Sequence, residues 1–123
     1  MARIMVTDDS DAIRMVLKDI LEIGHHELVA EAVNGIEAVE KFNATKPDLM
    51  LLDMAMPKKD GLSALKEILT TNPSAKIIMI TASDNIKTMT DCIKAGALAY
   101  VLKPFNFEDV LKTITNILNN VKN

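Results

Sequence analysis

Apolar and polar positions along the chain follow two rhythms. Ile4-Met5-Val6, Leu49-Met50-Leu51-Leu52 and Ile77-Ile78-Met79-Ile80 are continuous apolar runs, as expected of strands covered on both faces. Between the runs, apolar residues recur at three- and four-residue intervals, as expected of amphipathic helices. Ile13, Val16, Leu17, Ile20 and Leu21 predict the buried face of a first helix closed by Gly24. Ile36, Val39 and Phe42 predict a second helix after the Asn34-Gly35 turn; Leu62, Leu65, Ile68 and Leu69 predict a third, stopped by Asn72-Pro73. Ile86, Met89 and Ile93 predict the inward positions of a fourth helix ending at Gly96, and Val110, Ile114, Ile117 and Val121 those of a fifth. Two further strands complete the series. One, over Glu27 to Ala32, is polar enough for a sheet edge; the other, over Leu98 to Leu102, ends at Lys103-Pro104. Five alternating strand–helix units predict an α/β fold, a doubly wound parallel sheet with helices on both faces.

The strand exits carry the chemistry. Asp8 and Asp9 follow the first strand, Asp53 the third, Thr81 the fourth and Lys103 the fifth. In a parallel sheet these exits share one edge, where ligands of open α/β sheets bind. If the strand order is 2-1-3-4-5, a flavodoxin-like order, strands one and three are neighbours at the switch point, and three carboxylates would converge there. Two like charges about 4 Å apart repel by about 4 kcal/mol at an effective dielectric near 20. An oxygen-preferring divalent ion such as Mg²⁺ is the natural neutraliser. Taken singly, most of these residues have an ordinary structural role. Asp9 or Ser10 suits a helix N-cap, Asp8 a solvated loop, Thr81 a strand and Lys103 the surface. Asp53 is different, because it interrupts an apolar run, and an unpaired buried charge is costly. Their joint placement favours a single site.

Composition narrows the function classes. The 123 residues carry 14 basic and 17 acidic side chains, a net charge of −3, which argues against a nucleic-acid surface. The single Cys92 excludes an internal disulfide and fits a reducing compartment. The first strand starts too early for a signal peptide, and no apolar run approaches the roughly 18 residues of a membrane helix. One domain over 1–123 with no output domain is expected: a cytoplasmic monomer with no membrane insertion and no nucleic-acid partner.

Read in order, Asp8-Asp9-Ser10, Asp53 with Met56-Pro57 and Asp60-Gly61, Thr81-Ala82, Ala95-Gly96-Ala97 and Lys103-Pro104-Phe105 resemble the receiver domain of two-component response regulators. Each motif is weak alone; together, over nearly the whole length, they are specific. The absence of an output domain makes the chain similar to the stand-alone, CheY-like chemotaxis branch. The resemblance implies that Asp53 accepts a phosphoryl group from a histidine kinase (CheA-like). Asp9 and Asp53 would ligate Mg²⁺ with the backbone carbonyl of Ala55, and Asp8 would act mainly through water. Thr81 and Lys103 would contact the phosphoryl oxygens, with a cis peptide before Pro104. Phosphoryl transfer asks for alignment and charge neutralisation, which this set can supply.

The resemblance also makes Tyr100, the only tyrosine, a switch residue whose ring moves inward as Thr81 closes on the phosphoryl group. A downstream motility or chemotaxis protein, or an adaptor, would then bind the face made by helix four, strand five and helix five. By composition alone Tyr100 is a half-buried strand aromatic. Ala55 and Ser83 stand where many relatives carry larger polar or acidic groups that influence water attack on the acyl phosphate. The expected role is a phosphoacceptor switch that catalyses only its own phosphorylation and dephosphorylation, rather than an enzyme. The alternatives are a phosphorelay intermediate, a pseudo-receiver and an aspartyl-nucleophile phosphatase; the last lacks a general acid at Ala55. His25-His26 reads as a surface loop pair, Lys58-Lys59 as solvated charges, and Met5, Met50 and Met79 as core filler.

Overall fold

A computed structural model describes residues 1–119. The elements alternate as β1 (Arg3–Thr7), α1 (Asp11–Ile23), β2 (Glu27–Ala32), α2 (Gly35–Thr45), β3 (Leu49–Leu52), α3 (Gly61–Thr71), β4 (Ile77–Thr81), α4 (Ile86–Ala95), β5 (Ala99–Leu102) and α5 (Phe107–Asn119). All pairings are parallel, and the sheet order is β2-β1-β3-β4-β5. The expected doubly wound topology is therefore present.

Successive side chains of the central strands serve opposite faces, as the period of two dictates. Met5, Met50, Leu52, Ile77 and Met79 pack with α2, α3 and α4, around Phe42, Leu65 and Ile68. Ile4, Val6, Leu49, Leu51, Ile78 and Ile80 pack with α1 and α5, around Leu17, Leu21, Val110 and Ile114. The three strand methionines are fully buried, as filler should be.

The helix faces differ in detail from the periodicity. Val16 and Ile36 are exposed. In α1 the sheet takes the face through Leu17, Ile20 and Leu21; in α2 it takes Gly35, Ala38, Val39 and Phe42. The largest departure is α4, where Ile86 is 78% and Ile93 45% exposed and the only buried residue is Cys92. Ile86 and Ile93 lie seven positions apart and so share a face, but one turned away from the sheet. Val121 lies outside the described residues.

The connections are tight because each helix start is capped from its own sequence. Ser10, Asn34, Asp60 and Asn85 accept from the backbone N–H three residues on, at the starts of α1 to α4. At the end of α1, Gly24 is the cap residue at φ −83°, but His25 takes the left-handed conformation at φ 60°. Gly96 closes α4 at φ 119°, where a side chain would be strained.

Gly61 brings the loop after β3 back under the strand exit. Its amide donates to the Met54 carbonyl at 2.8 Å, and an added Cβ would lie 2.2 Å from the Asp53 carbonyl oxygen. Gly61→Ala should therefore lower the urea unfolding free energy by about 2–3 kcal/mol, the upper range for overpacking. An unchanged denaturation midpoint would contradict this close approach.

Candidate functional site

The strand order sets β1 beside β3 with β4 and β5 following, so the polar exits meet at one edge. Asp8, Asp9 and Asp53 each offer a carboxylate oxygen, and these atoms lie within 4.8 Å of one another. Asp8 is 1% and Asp53 5% exposed, whereas Asp9 is open to solvent. Asp53 follows the last residue of β3 directly but does not emerge into water: its side chain is buried beside Asp8 and Lys103.

Lys103, placed by the end of β5, supplies the counter-charge. Its Nζ donates to Asp8 Oδ2 at 2.6 Å and lies 3.5 Å from Asp53 Oδ1. The Met54 amide donates to Asp53 Oδ1 at 2.9 Å, and the Ser10 amide to Asp8 Oδ1 at 2.9 Å. Thr81 is buried at the end of β4. These donors do not balance the acids. Burial, and next the charge of Asp8, push the Asp53 carboxyl above its ordinary range; Lys103, the Met54 amide and the Thr81 hydroxyl pull it back only partly.

Asp8, Asp9, Asp53, Thr81 and Lys103 thus share one edge; the three acids are in mutual reach, and Lys103 contacts Asp8 and lies near Asp53. The N-cap ambiguity is resolved: Ser10 caps α1, leaving the Asp9 carboxylate free for the site. The Lys103-Pro104 peptide is cis. Ala55 lies exposed in the loop after β3. Tyr100 sits on β5, half-buried, with its hydroxyl donating to the Ser83 carbonyl at 2.8 Å; the phenol is pushed up mainly by burial.

Of the two histidines, His25 is exposed, but His26 is partly buried and its Nδ1 accepts from the Ala2 amide at 3.2 Å, a structural tie. Lys59 is more than solvated, since it pairs with Glu67 and its carbonyl accepts from the Gly35 amide at 3.0 Å. Sequence reasoning missed the Met54 amide and Arg14. A backbone donor carries no sequence signal, and Arg14 reads as an ordinary polar position of α1.

Chemically, the donor set is all oxygen, anionic and under-neutralised. It fits a hard divalent cation, which would offset the repulsion that Lys103 leaves. Asp8 and Asp53 each have a backbone donor and the Lys103 ammonium nearby. Lys103 is hydrogen-bonded to Asp8 but lies 3.5 Å from Asp53, whose carboxylate is the less tightly held of the two and can act as a nucleophile.

Comparison with known proteins agrees with this geometry. Residues 4–115 match the family described as response regulator receiver domain. The chain is 44% identical over 117 residues to the chemotaxis protein CheY of Bacillus subtilis (strain 168), covering 95% of this chain and 98% of that one. It is 39% identical over 115 residues to CheY of Thermotoga maritima, covering 94% and 96%. Among solved structures, it is similar to the CheX–CheY–BeF₃–Mg²⁺ complex of Borrelia burgdorferi: TM-score 0.91, 29% identity, 94% of this chain and 87% of that one.

Proposed function

The chain belongs to the response regulator receiver family, and from that premise we propose that it is a Mg²⁺-dependent phosphorylation switch acting in chemotaxis or motility. The observation that carries the reading is the buried Asp53 carboxylate, held between Lys103 and two further acids at the sheet edge. Full-length similarity to chemotaxis proteins supports the choice of pathway.

In this reading Asp53 supplies the attacking oxygen. The phosphorus–nitrogen bond of a phosphohistidine on a CheA-like kinase breaks as an acyl phosphate forms on Asp53. Asp9 and Asp53 would hold Mg²⁺, with the Ala55 carbonyl as a third donor and Asp8 acting through water. Bound there, the ion would neutralise charge on the transferring group. Lys103, already 3.5 Å from Asp53 Oδ1, stabilises the same charge from the protein side. The Thr81 hydroxyl donates to a phosphoryl oxygen. The protein acts on its own phosphate rather than on separate substrates, and it works as a cytoplasmic monomer. Among the described residues no helix is long and apolar enough to cross a membrane.

The output surface is α4, β5 and α5. Ile86, Ile93, Leu98, Leu102 and Phe107 are all exposed there, an apolar set that suits a protein partner from the motility apparatus or an adaptor. Tyr100, between Ser83 and this face, links it to the site by a population shift. Tyr100→Ala should accept phosphate at the wild-type rate yet bind its phosphorylation-dependent partner about tenfold more weakly. Equal partner affinity, measured by titration of the phosphorylated forms, would sink the switch role.

The reading is tested by mixing the chain with a chemotaxis-type histidine kinase autophosphorylated on labelled ATP. Label should move to the chain and then leave as inorganic phosphate. Onward transfer to a histidine phosphotransfer protein would instead establish a relay, and no transfer would refute the pairing.

A further inference from the structure

Arg14 is a charged side chain that the phosphoryl-transfer reading leaves unused, yet it is only 12% exposed. It stands on α1, one turn after the Ser10 cap. Its Nη1 donates to the backbone carbonyl of Asp8 at 2.7 Å. Nε donates to Glu31 at the exit half of β2 at 3.0 Å, and Nη2 pairs with Asp11. All three edges of the guanidinium fork are thus engaged.

The Asp8 carbonyl belongs to the rigid peptide plane that joins Asp8 to Asp9. The next plane is held as well, because the Ser10 amide donates to Asp8 Oδ1 at 2.9 Å. Asp9 is therefore anchored through the backbone on both sides. Its own carboxylate is exposed and accepts no hydrogen bond from the described residues, yet one oxygen lies within 4.8 Å of its acidic neighbours. What aims it is the backbone, and what fixes the first of the two planes is Arg14.

We infer that Arg14 is a positioning residue for the divalent-cation site, orienting Asp9 through the Asp8–Asp9 peptide. The inference rests on the Mg²⁺ reading given above. Electrostatics are consistent with it. A bare cation next to the acids would compete with a bound metal, but Asp11 and Glu31 neutralise the guanidinium where it stands. The fork therefore contributes orientation without opposing the ion. Lysine could reach one of these acceptors but not three, so the exchange is not conservative.

The experiment is calorimetric titration of the full chain with MgCl₂, for wild type, Arg14→Ala, Arg14→Lys and Lys18→Ala. Lys18 is an exposed neighbour of Arg14 on α1. Outer partners of metal ligands typically contribute about 10–100-fold in affinity. Arg14→Ala should bind Mg²⁺ about tenfold more weakly, Arg14→Lys should fall between it and wild type, and Lys18→Ala should match wild type. At saturating Mg²⁺ the Arg14→Ala phosphorylation rate with acetyl phosphate should return close to wild type, since only the cation dependence is altered. Wild-type affinity in folded Arg14→Ala overturns the inference and leaves the Mg²⁺ reading standing. Should Arg14→Ala fail to fold, wild-type affinity in Arg14→Lys overturns it. A wild-type chain that takes up no Mg²⁺ refutes the cation reading itself.

Discussion

Lys103→Ala should lower the stability of the metal-free protein by about 3 kcal/mol, the low end for removing one partner of a buried ion pair. Its ammonium is the counter-charge to Asp8, whose side chain is 2% exposed, and it also lies near Asp53. Without it, three carboxylates within 4.8 Å face one another. The lower end of the range applies because Lys103 itself keeps some contact with solvent. A divalent cation should restore most of the loss, since binding to the native state alone at about 100 times Kd contributes about 2.7 kcal/mol. Urea denaturation with and without MgCl₂ reads both effects. The same variant should accept phosphate from acetyl phosphate about 100-fold more slowly even at saturating Mg²⁺, the scale for losing one preorganised donor to developing charge. Normal stability and a normal rate together would remove Lys103 from the site.

Asp53→Asn should do the opposite to stability. The native Asp53 carboxyl is pushed up chiefly by burial and then by Asp8. In the unfolded chain it loses its proton in the ordinary carboxylate range, while in the native protein it holds it to higher pH. Between those two points the native state binds more protons, so stability falls as pH rises through the window and stays lower above it. The asparagine has no such proton. Its advantage should be absent below the ordinary carboxylate range and complete above the native value, in the direction set by the raised Asp53 carboxyl. Denaturation midpoints for both proteins across acidic to neutral pH check the sign. A variant less stable than wild type at neutral pH would show that Asp53 is net stabilising where it stands.

Much of this was legible in the chain because the signals were of the right kind. Strands β1, β3 and β4 are buried on both faces, so their apolar runs are unbroken, and the polar residue ending each run marks the site. Alternation gave a parallel sheet whose exits share one edge; the order that sets β1 beside β3 was an assumption the structure supports, and the convergence of Asp8, Asp9, Asp53 and Lys103 follows from it. Helix faces were less legible. Ile86 and Ile93 have the spacing of a core stripe, and periodicity cannot distinguish a face buried in the fold from one kept apolar for a partner. The sheet took Cys92 instead. Arg14 was invisible for a related reason: its role is a bond to a backbone carbonyl, and no residue pattern encodes where a carbonyl points. The burial of Asp53 was also unreadable, because it depends on side chains that other strands bring against it, Asp8 from β1 and Lys103 from β5, rather than on any property of β3.

The central claim is that Asp53 is the phosphoacceptor of a cation-dependent site. Intact mass after incubation with MgCl₂ and acetyl phosphate tests it most directly, on wild type and Asp53→Asn, with a chelator control. The account predicts a single phosphate adduct on wild type that disappears with the chelator and in Asp53→Asn. An adduct that persists in Asp53→Asn, or that forms equally well with the divalent cation removed, would contradict it.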